Sequence, residues 1–284
     1  MGSPSISAVF PARDAASTIA SVVVVADRVL RTLTNDYEII VVDAGSADDT
    51  SAILHELRSG YPRLRLLSCA REQGRGAALR HGLAAAEKEL IVYAPGDARY
   101  DPRDFARLLA ALGPDVDVVD GCRPHRRGGL AARTQRGLLR RMFGLPAGAG
   151  DGECRLLRRR VLDRVRLEEN GDLVRLELAT KVSQAAYRVA EAPVSYSDRF
   201  DPGAGLSGLA STAREAAQLW WRLQWRGEFR RALAEQDAID QIVAGEAMPS
   251  LSAPSTAVGA MSEGAPLSTR VAEVSGTAAA VPQP

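Results

Sequence analysis

Tyr37–Thr50 reads YEIIVVDAGSADDT, and this stretch decides the fold. Ile39 to Val42 is an unbroken apolar run, rich in β-branched residues, as expected of a central parallel strand covered on both faces. Asp43 follows at the strand's carboxyl end. Gly45 then gives a turn, and Ser46 sits as the N-cap of a helix that carries Ile53, Leu54 and Leu57 on one side. Ligands of open α/β sheets bind beyond the carboxyl ends of the strands. Asp43 therefore has two readings, a cap or turn aspartate and a carboxylate facing a ligand.

Working outward, Ser5–Pro11 reads as a strand before this one, and Leu64–Cys69, Glu89–Tyr93 and Val116–Gly121 as strands after it. Between the first two lies a helix from about Ala15, with Ile19, Val22, Val23, Ala26, Val29 and Leu30 at helical spacing. Its four consecutive valines lose side-chain freedom in a helix, but the period outweighs that cost. Pro102–Leu112 reads as a helix with proline in its first turn, where the missing N–H costs nothing. Leu173–Tyr187 reads as a helix containing Glu177, and Val189–Tyr196 as a last strand. Strands alternating with helices in this way predict an α/β fold, a mostly parallel sheet with helices on both faces.

Several loops carry chemistry. In REQGRGAALRHG, Gly74 and Gly76 flank Arg75 just before an alanine-rich helix. Such a loop either cradles a phosphate, with helix N–H groups and a guanidinium, or is an ordinary tight turn. In APGDARYDP, Asp97 and Asp101 again lie past a strand's carboxyl end. From Arg123 to Arg166 arginines recur while acids are sparse, giving either a solvated face or a surface for a phosphate or an anionic bilayer. Gly144–Gly152 is a glycine-rich loop. Leu206–Arg231 reads as an amphipathic helix with Leu209, Ala213, Ala216, Trp220 and Leu223 on one stripe. It holds Trp220, Trp221 and Trp225, which suit either a membrane interface or docking on the main domain.

Composition bounds the function. The 284 residues carry a formal net charge of +1, so no bulk attraction to nucleic acid is expected. The three cysteines, Cys69, Cys122 and Cys154, lack metal-ligand spacing and, being odd in number, fit a reduced cytoplasmic protein. No signal peptide and no membrane-spanning stretch are expected, so membrane work would be peripheral, at the inner face. The expected organisation is a main domain over 1–204, amphipathic C-terminal helices over 205–247 and a disordered tail, Met248–Pro284.

These motifs, in this order, resemble the family 2 glycosyltransferases of GT-A fold, and among them the polyprenyl- or dolichol-phosphate sugar synthases. VVDAGSADDT is similar to the family's VVDDGSxDxT, QGRGAALRHGL to its GxGxAxxxGL, and APGDARYDP to its DxD stretch. Gly121–Arg123 matches a family GSR, Asp151 and Cys154 its DxxC, and Glu177 with AYRVAEAPVSYSDR its closing pattern. The resemblance implies a nucleotide-diphosphate sugar donor bound by Pro11, Asp43, Gly74, Arg75 and Asp97, with Mg2+ or Mn2+ at Asp97. It implies an anionic lipid-phosphate acceptor near Arg123, Arg133 and Arg199, and inversion by direct displacement. A phosphate acceptor needs little deprotonation, so cations matter more than a base.

The chain departs from this pattern where the metal would sit. Ala44 replaces the second aspartate of DDGS, Pro95 the first aspartate of DxD, and Arg99 stands two residues after Asp97. A divalent cation wants several oxygen ligands, and here only Asp97 remains, with Asp101 as a helper. Weak or absent metal dependence is therefore expected, with Asp97, Arg99 and Arg123 as the residues acting on the reacting groups. The alternative is a non-catalytic relative that binds nucleotide, lipid or a protein partner.

Overall fold

The protein is described from a computed structural model, which covers residues 3–123, 130–145, 152–197, 215–225, 227 and 229–237. Its seven strands are β1 (Ile6–Ala12), β2 (Tyr37–Asp43), β3 (Leu64–Ser68), β4 (Leu90–Tyr93), β5 (Val118–Cys122), β6 (Arg155–Arg158) and β7 (Val189–Pro193). They form one sheet in the order β3-β2-β1-β4-β6-β5-β7. All pairings are parallel except those of β6, which runs antiparallel to both β4 and β5.

Among the described residues the sheet is flanked by the helices α1 (Ile19–Leu33), α2 (Thr50–Gly60), α3 (Gly74–Ala85), α4 (Phe105–Ala111), α5 (Leu130–Phe143), α6 (Arg159–Arg164) and α7 (Val174–Gln184). The period-2 geometry of β2 splits its apolar run between two cores. Ile39 and Val41 pack with Phe10 against α1, α2 and α4, while Ile40 and Val42 pack with Val9 against α3 and α7. Every residue of β2 is buried, as a strand covered on both faces requires.

The valine run of α1 is helical, with Val22 and Val23 buried on the sheet. α3 lies closer to the sheet than a larger residue would allow. A Cβ at Gly82 would sit 2.4 Å from Cγ1 of Val9 and 3.0 Å from Cγ2 of Val42. Gly82→Ala is therefore expected to cost about 1–3 kcal/mol by overpacking, read as a lower urea midpoint. An unchanged midpoint would show that α3 can lift off without cost.

Four sequence expectations need correction. Ser46 is not the N-cap: α2 starts at Thr50, and Ser46 instead donates both its N–H (3.0 Å) and its hydroxyl (2.6 Å) to Oδ1 of Asp43. Pro102–Asp104 is a 3-10 turn, so the α-helix proper starts at Phe105. β6 and α6 occupy part of the arginine-rich region, for which the sequence predicts a solvated face or an anion-binding surface and no strand. Leu206–Arg231 is not one regular helix. Residues 215–220 are α-helical, Trp221–Trp225 widen into a π-helical turn, Gly227 takes a positive φ of 60°, and residues 229–237 are helical again.

Ala216, Leu219, Leu223 and Phe229 are buried in the α3/α7 core. Trp220 packs against that core and donates its indole N–H to the Met142 carbonyl at 2.9 Å. Trp221 is 46% exposed. Leu209, Ala213, most of the Gly144–Gly152 loop, Arg199, the tail Met248–Pro284 and the side chains of Arg133 and Trp225 lie outside the described residues.

Candidate active site

Strand order reverses beside β1, whose neighbours β2 and β4 continue in opposite directions, and such a switch point opens a crevice beyond the strand ends. There a cleft of about 530 Å3 is lined by Pro11 and Ala12 from β1, Ala44 after β2, and Tyr93 and Ala94 from the end of β4. Arg75, Asp97, Arg99, Glu153 and Arg175 bring charge to it.

The loop after β4 makes a tight turn. Ala98 adopts a positive φ of 58°, a region that costs a residue with a Cβ of order 1–3 kcal/mol. The turn folds Arg99 back on Asp97: Nε of Arg99 donates to Oδ2 at 2.8 Å, and its backbone N–H to Oδ1 at 3.2 Å. Nη1 of Arg99 lies 3.3 Å from Oε2 of Glu153.

Glu153 gathers two more guanidinium groups. Nη2 of Arg123 donates to Oε2 at 2.8 Å, and Nη1 of Arg175 pairs with Oε1. Arg123 is held further by the Tyr100 hydroxyl at 2.8 Å and by the Tyr196 ring, 3.3 Å beneath its Cζ, a cation–π contact. Burial alone would push the Glu153 carboxyl up, but Arg175, Arg99 and Arg123 together hold it below the usual carboxylate range. Burial likewise opposes the Arg99 charge, and Glu153 and Asp97 reverse that, raising its pKa further. The cluster sets three guanidinium groups against two carboxylates.

The glycine loop is organised by a different contact. Asn170 offers its backbone carbonyl to the N–H groups of Gly76 (2.9 Å) and Ala77 (3.2 Å). A Cβ at Gly76 would fall 2.2 Å from the Gly171 carbonyl oxygen, and one at Gly74 2.6 Å from that of Asn170. The two glycines thus admit the loop between α6 and α7. That loop is fixed in turn by Glu177, fully buried, whose carboxylate accepts the N–H groups of Glu168 and Glu169 and pairs with Lys181 at 2.8 Å. Gly76→Ala is expected to displace Asn170 and lower stability by about 1–3 kcal/mol; faster amide exchange at Ala77 would report the lost acceptor, and unchanged protection there would contradict this account.

The structure thus brings Pro11, Arg75, Asp97 and Arg99 to one cleft and joins Arg123 to them through Glu153. Asp43 and Gly74 do not line it. The Asp43 carboxylate is engaged by Ser46, and its neighbour Ala44 forms the wall instead. Asp101 is no metal helper: it caps the following turn through the Arg103 N–H at 2.9 Å and pairs with the Arg103 side chain. Glu153 and Arg175 were missed in the sequence. Glu153 lay inside the DGEC match, but nothing local marks a partner on another element.

A divalent cation does not fit these donors. Both oxygens of Asp97 accept from Arg99, Pro95 and Ala44 supply no ligand, and among the described residues no three His, Cys, Asp or Glu side chains gather to hold a metal. No described helix is long and apolar enough to cross a membrane.

Known proteins share this architecture. The chain is 27% identical over 243 residues to glycosyltransferase AglD of Haloferax volcanii, covering 80% of this chain and 38% of that protein. It is 25% identical over 200 residues to undecaprenyl-phosphate 4-deoxy-4-formamido-L-arabinose transferase of Klebsiella pneumoniae, covering 68% and 60%. The chain thus spans less than two thirds of either relative. Among solved structures, glucosyl-3-phosphoglycerate synthase of Mycobacterium tuberculosis with UDP superposes with a TM-score of 0.60 at 23% identity, over 77% of this chain and 79% of that one. The same enzyme is known with Mn2+, UDP and its product, glucosyl-3-phosphoglycerate, TM-score 0.56. The shared fold is the GT-A arrangement expected from the sequence. Residues 7–166, over half of the chain, match the model for glycosyl transferase family 2, and with the sheet, the cleft and these relatives in agreement, the chain belongs to that family.

Proposed function

We propose that the protein transfers a sugar from a nucleotide-diphosphate donor to a polyprenyl phosphate or a similar anionic acceptor, with inversion. The observation that carries this reading is the Glu153 cluster: one carboxylate holding Arg99, Arg123 and Arg175 at the mouth of the strand-end cleft. Two anionic substrates repel each other, and fixed guanidinium groups offset that repulsion without reorganising. In this reading Arg75, Arg99 and Arg175 meet the diphosphate, with Pro11 and Ala44 along the nucleoside. Arg123 meets the acceptor phosphate. An acceptor phosphate oxygen attacks the anomeric carbon, the bond from that carbon to the diphosphate oxygen breaks, and the nucleoside diphosphate leaves with the electron pair. No side chain need take a proton, because the attacking oxygen is already anionic near neutral pH.

A screen of UDP-, GDP- and TDP-sugars against polyprenyl phosphate tests the proposal. Product with the phosphate, and none with the corresponding polyprenol, is expected. Equal use of the alcohol, or none of either, would refute it.

Such an acceptor places the protein at the cytoplasmic face of a membrane, as a peripheral contact. Leu138 on α5 and Trp221 are exposed apolar side chains, and arginines beside them suit an anionic leaflet. Trp221→Ala should then weaken co-sedimentation with anionic liposomes while changing stability by no more than about 0.5 kcal/mol. Trp220→Ala should instead cost about 2 kcal/mol or more, since it removes packing and a hydrogen bond. Liposome binding that ignores both substitutions would remove the tryptophans from the membrane contact.

A further inference from the structure

Both oxygens of Asp97, the carboxylate left in the DxD-like stretch, are taken by Arg99 of this chain. Arg99 is 13% exposed, lines the cleft, and has two of its nitrogens on carboxylates: Nε on Asp97 at 2.8 Å and Nη1 beside Glu153 at 3.3 Å. The Tyr196 side chain also hydrogen-bonds this guanidinium, and a guanidinium, with five N–H donors in a planar fork, is suited to bind an oxyanion as well as its protein partners. The turn that seats it runs through Ala98 at positive φ, so backbone strain is accepted to keep Arg99 on Asp97.

Asp97 therefore holds a cation in this structure, but one that is covalently attached. Arg175, tied to the other oxygen of Glu153, adds a second fixed charge along the same cleft. With Arg123 on the same carboxylate, three guanidinium charges face the two of Asp97 and Glu153. The cluster's surplus positive charge, with Arg75 in the same cleft, offsets part of the charge of a diphosphate that a divalent ion would otherwise balance.

We propose that Arg99, seated on Asp97 and Glu153, replaces the divalent cation, so that donor binding and departure of the nucleoside diphosphate need no metal. This inference rests on the cleft being a nucleotide-sugar site.

Titration calorimetry with UDP, GDP and TDP, each in EDTA and in Mn2+, tests it. The expected result is that at least one of the three binds equally in both buffers. Arg99→Ala should weaken that binding roughly 10–100-fold in EDTA, the size expected of lost charge-assisted hydrogen bonds. Arg99→Lys, which keeps the charge but not the fork, should fall between, and it carries the test should the alanine variant not fold. Arg103→Ala, which removes an exposed arginine of the same loop outside the cleft, should bind as wild type. Binding only with Mn2+, or binding indifferent to both Arg99 substitutions, would overturn the inference while leaving the donor site intact. Binding of no nucleoside diphosphate in either buffer would overturn the donor-site reading, and this inference with it.

Discussion

Asp120→Ala will lower the unfolding free energy by about 3–5 kcal/mol. Asp120 on β5 and Arg155 on β6 are registered partners, 3% and 1% exposed. Arg155 grips the carboxylate with both Nε and Nη2, the latter at 2.9 Å. Burial opposes the Arg155 charge and Asp120 offsets this; with the carboxylate cut away, arginine's intrinsic basicity still keeps the guanidinium protonated. An uncompensated charge is then left inside the sheet, and that, rather than the value of the pair, sets the cost. Nη1 of Arg155 and the Tyr93 hydroxyl are both buried without a hydrogen-bond partner, so the wild-type arrangement is itself not fully satisfied. The double variant Asp120→Leu/Arg155→Met should therefore recover most of the loss. Urea denaturation measures both. A single variant costing under about 1 kcal/mol, or a double variant no better than the single, would contradict the argument.

That same pair explains what the sequence concealed. β1, β2 and β4 are legible because their apolar runs are unbroken and end in turn residues. β6 reads RLLR, and arginine at both ends makes it look like solvated surface. Arg155 is instead neutralised by Asp120, 35 residues away, and no local pattern reports a partner at that distance. Glu153 was hidden for the same reason, since its partners come from the loop after β4, the end of β5 and the first turn of α7. Asp97 was a candidate by position, past a strand's carboxyl end, whereas Arg99 became one only through the departure from the family's DxD stretch. Gly74 and Gly76 read as either a phosphate cradle or an ordinary tight turn. What approaches them is Asn170, a contact that depends on the buried Glu177 holding a loop nearly a hundred residues further along the chain. Trp220 and Trp221 are adjacent in sequence and differ in burial because neighbours on a helix point about 100° apart: Trp220 lies on the predicted stripe with Ala216 and Leu223 and packs on the core, while Trp221 faces outward.

Glu153→Gln is expected to reduce kcat/KM for sugar transfer by roughly 10²–10³-fold, with a smaller loss of stability than Asp120→Ala because Glu153 borders the open cleft. Glu153 is a positioning residue. Its carboxylate sets the spacing of Arg99, Arg123 and Arg175, which reach it from three separate elements. An amide offers one oxygen and no charge, so it cannot hold three guanidinium groups that repel one another. Glu153→Asp, which keeps the charge on a shorter arm, should restore part of the rate. In the reaction we propose, donor, acceptor and departing diphosphate share this frame, so the loss should appear in kcat as well as KM. Acid provides an independent readout. The folded carboxyl is held below its unfolded value of about 4.3 by the three arginines, against the effect of burial. Its contribution to stability is therefore complete above that value and is lost as pH falls through the folded pKa. The Glu153→Gln protein should lose less stability than wild type over that acid range. Wild-type kcat in the glutamine variant, or parallel stability profiles of the two proteins below pH of about 4.3, would show that the carboxylate neither sets the geometry nor feels the three cations around it.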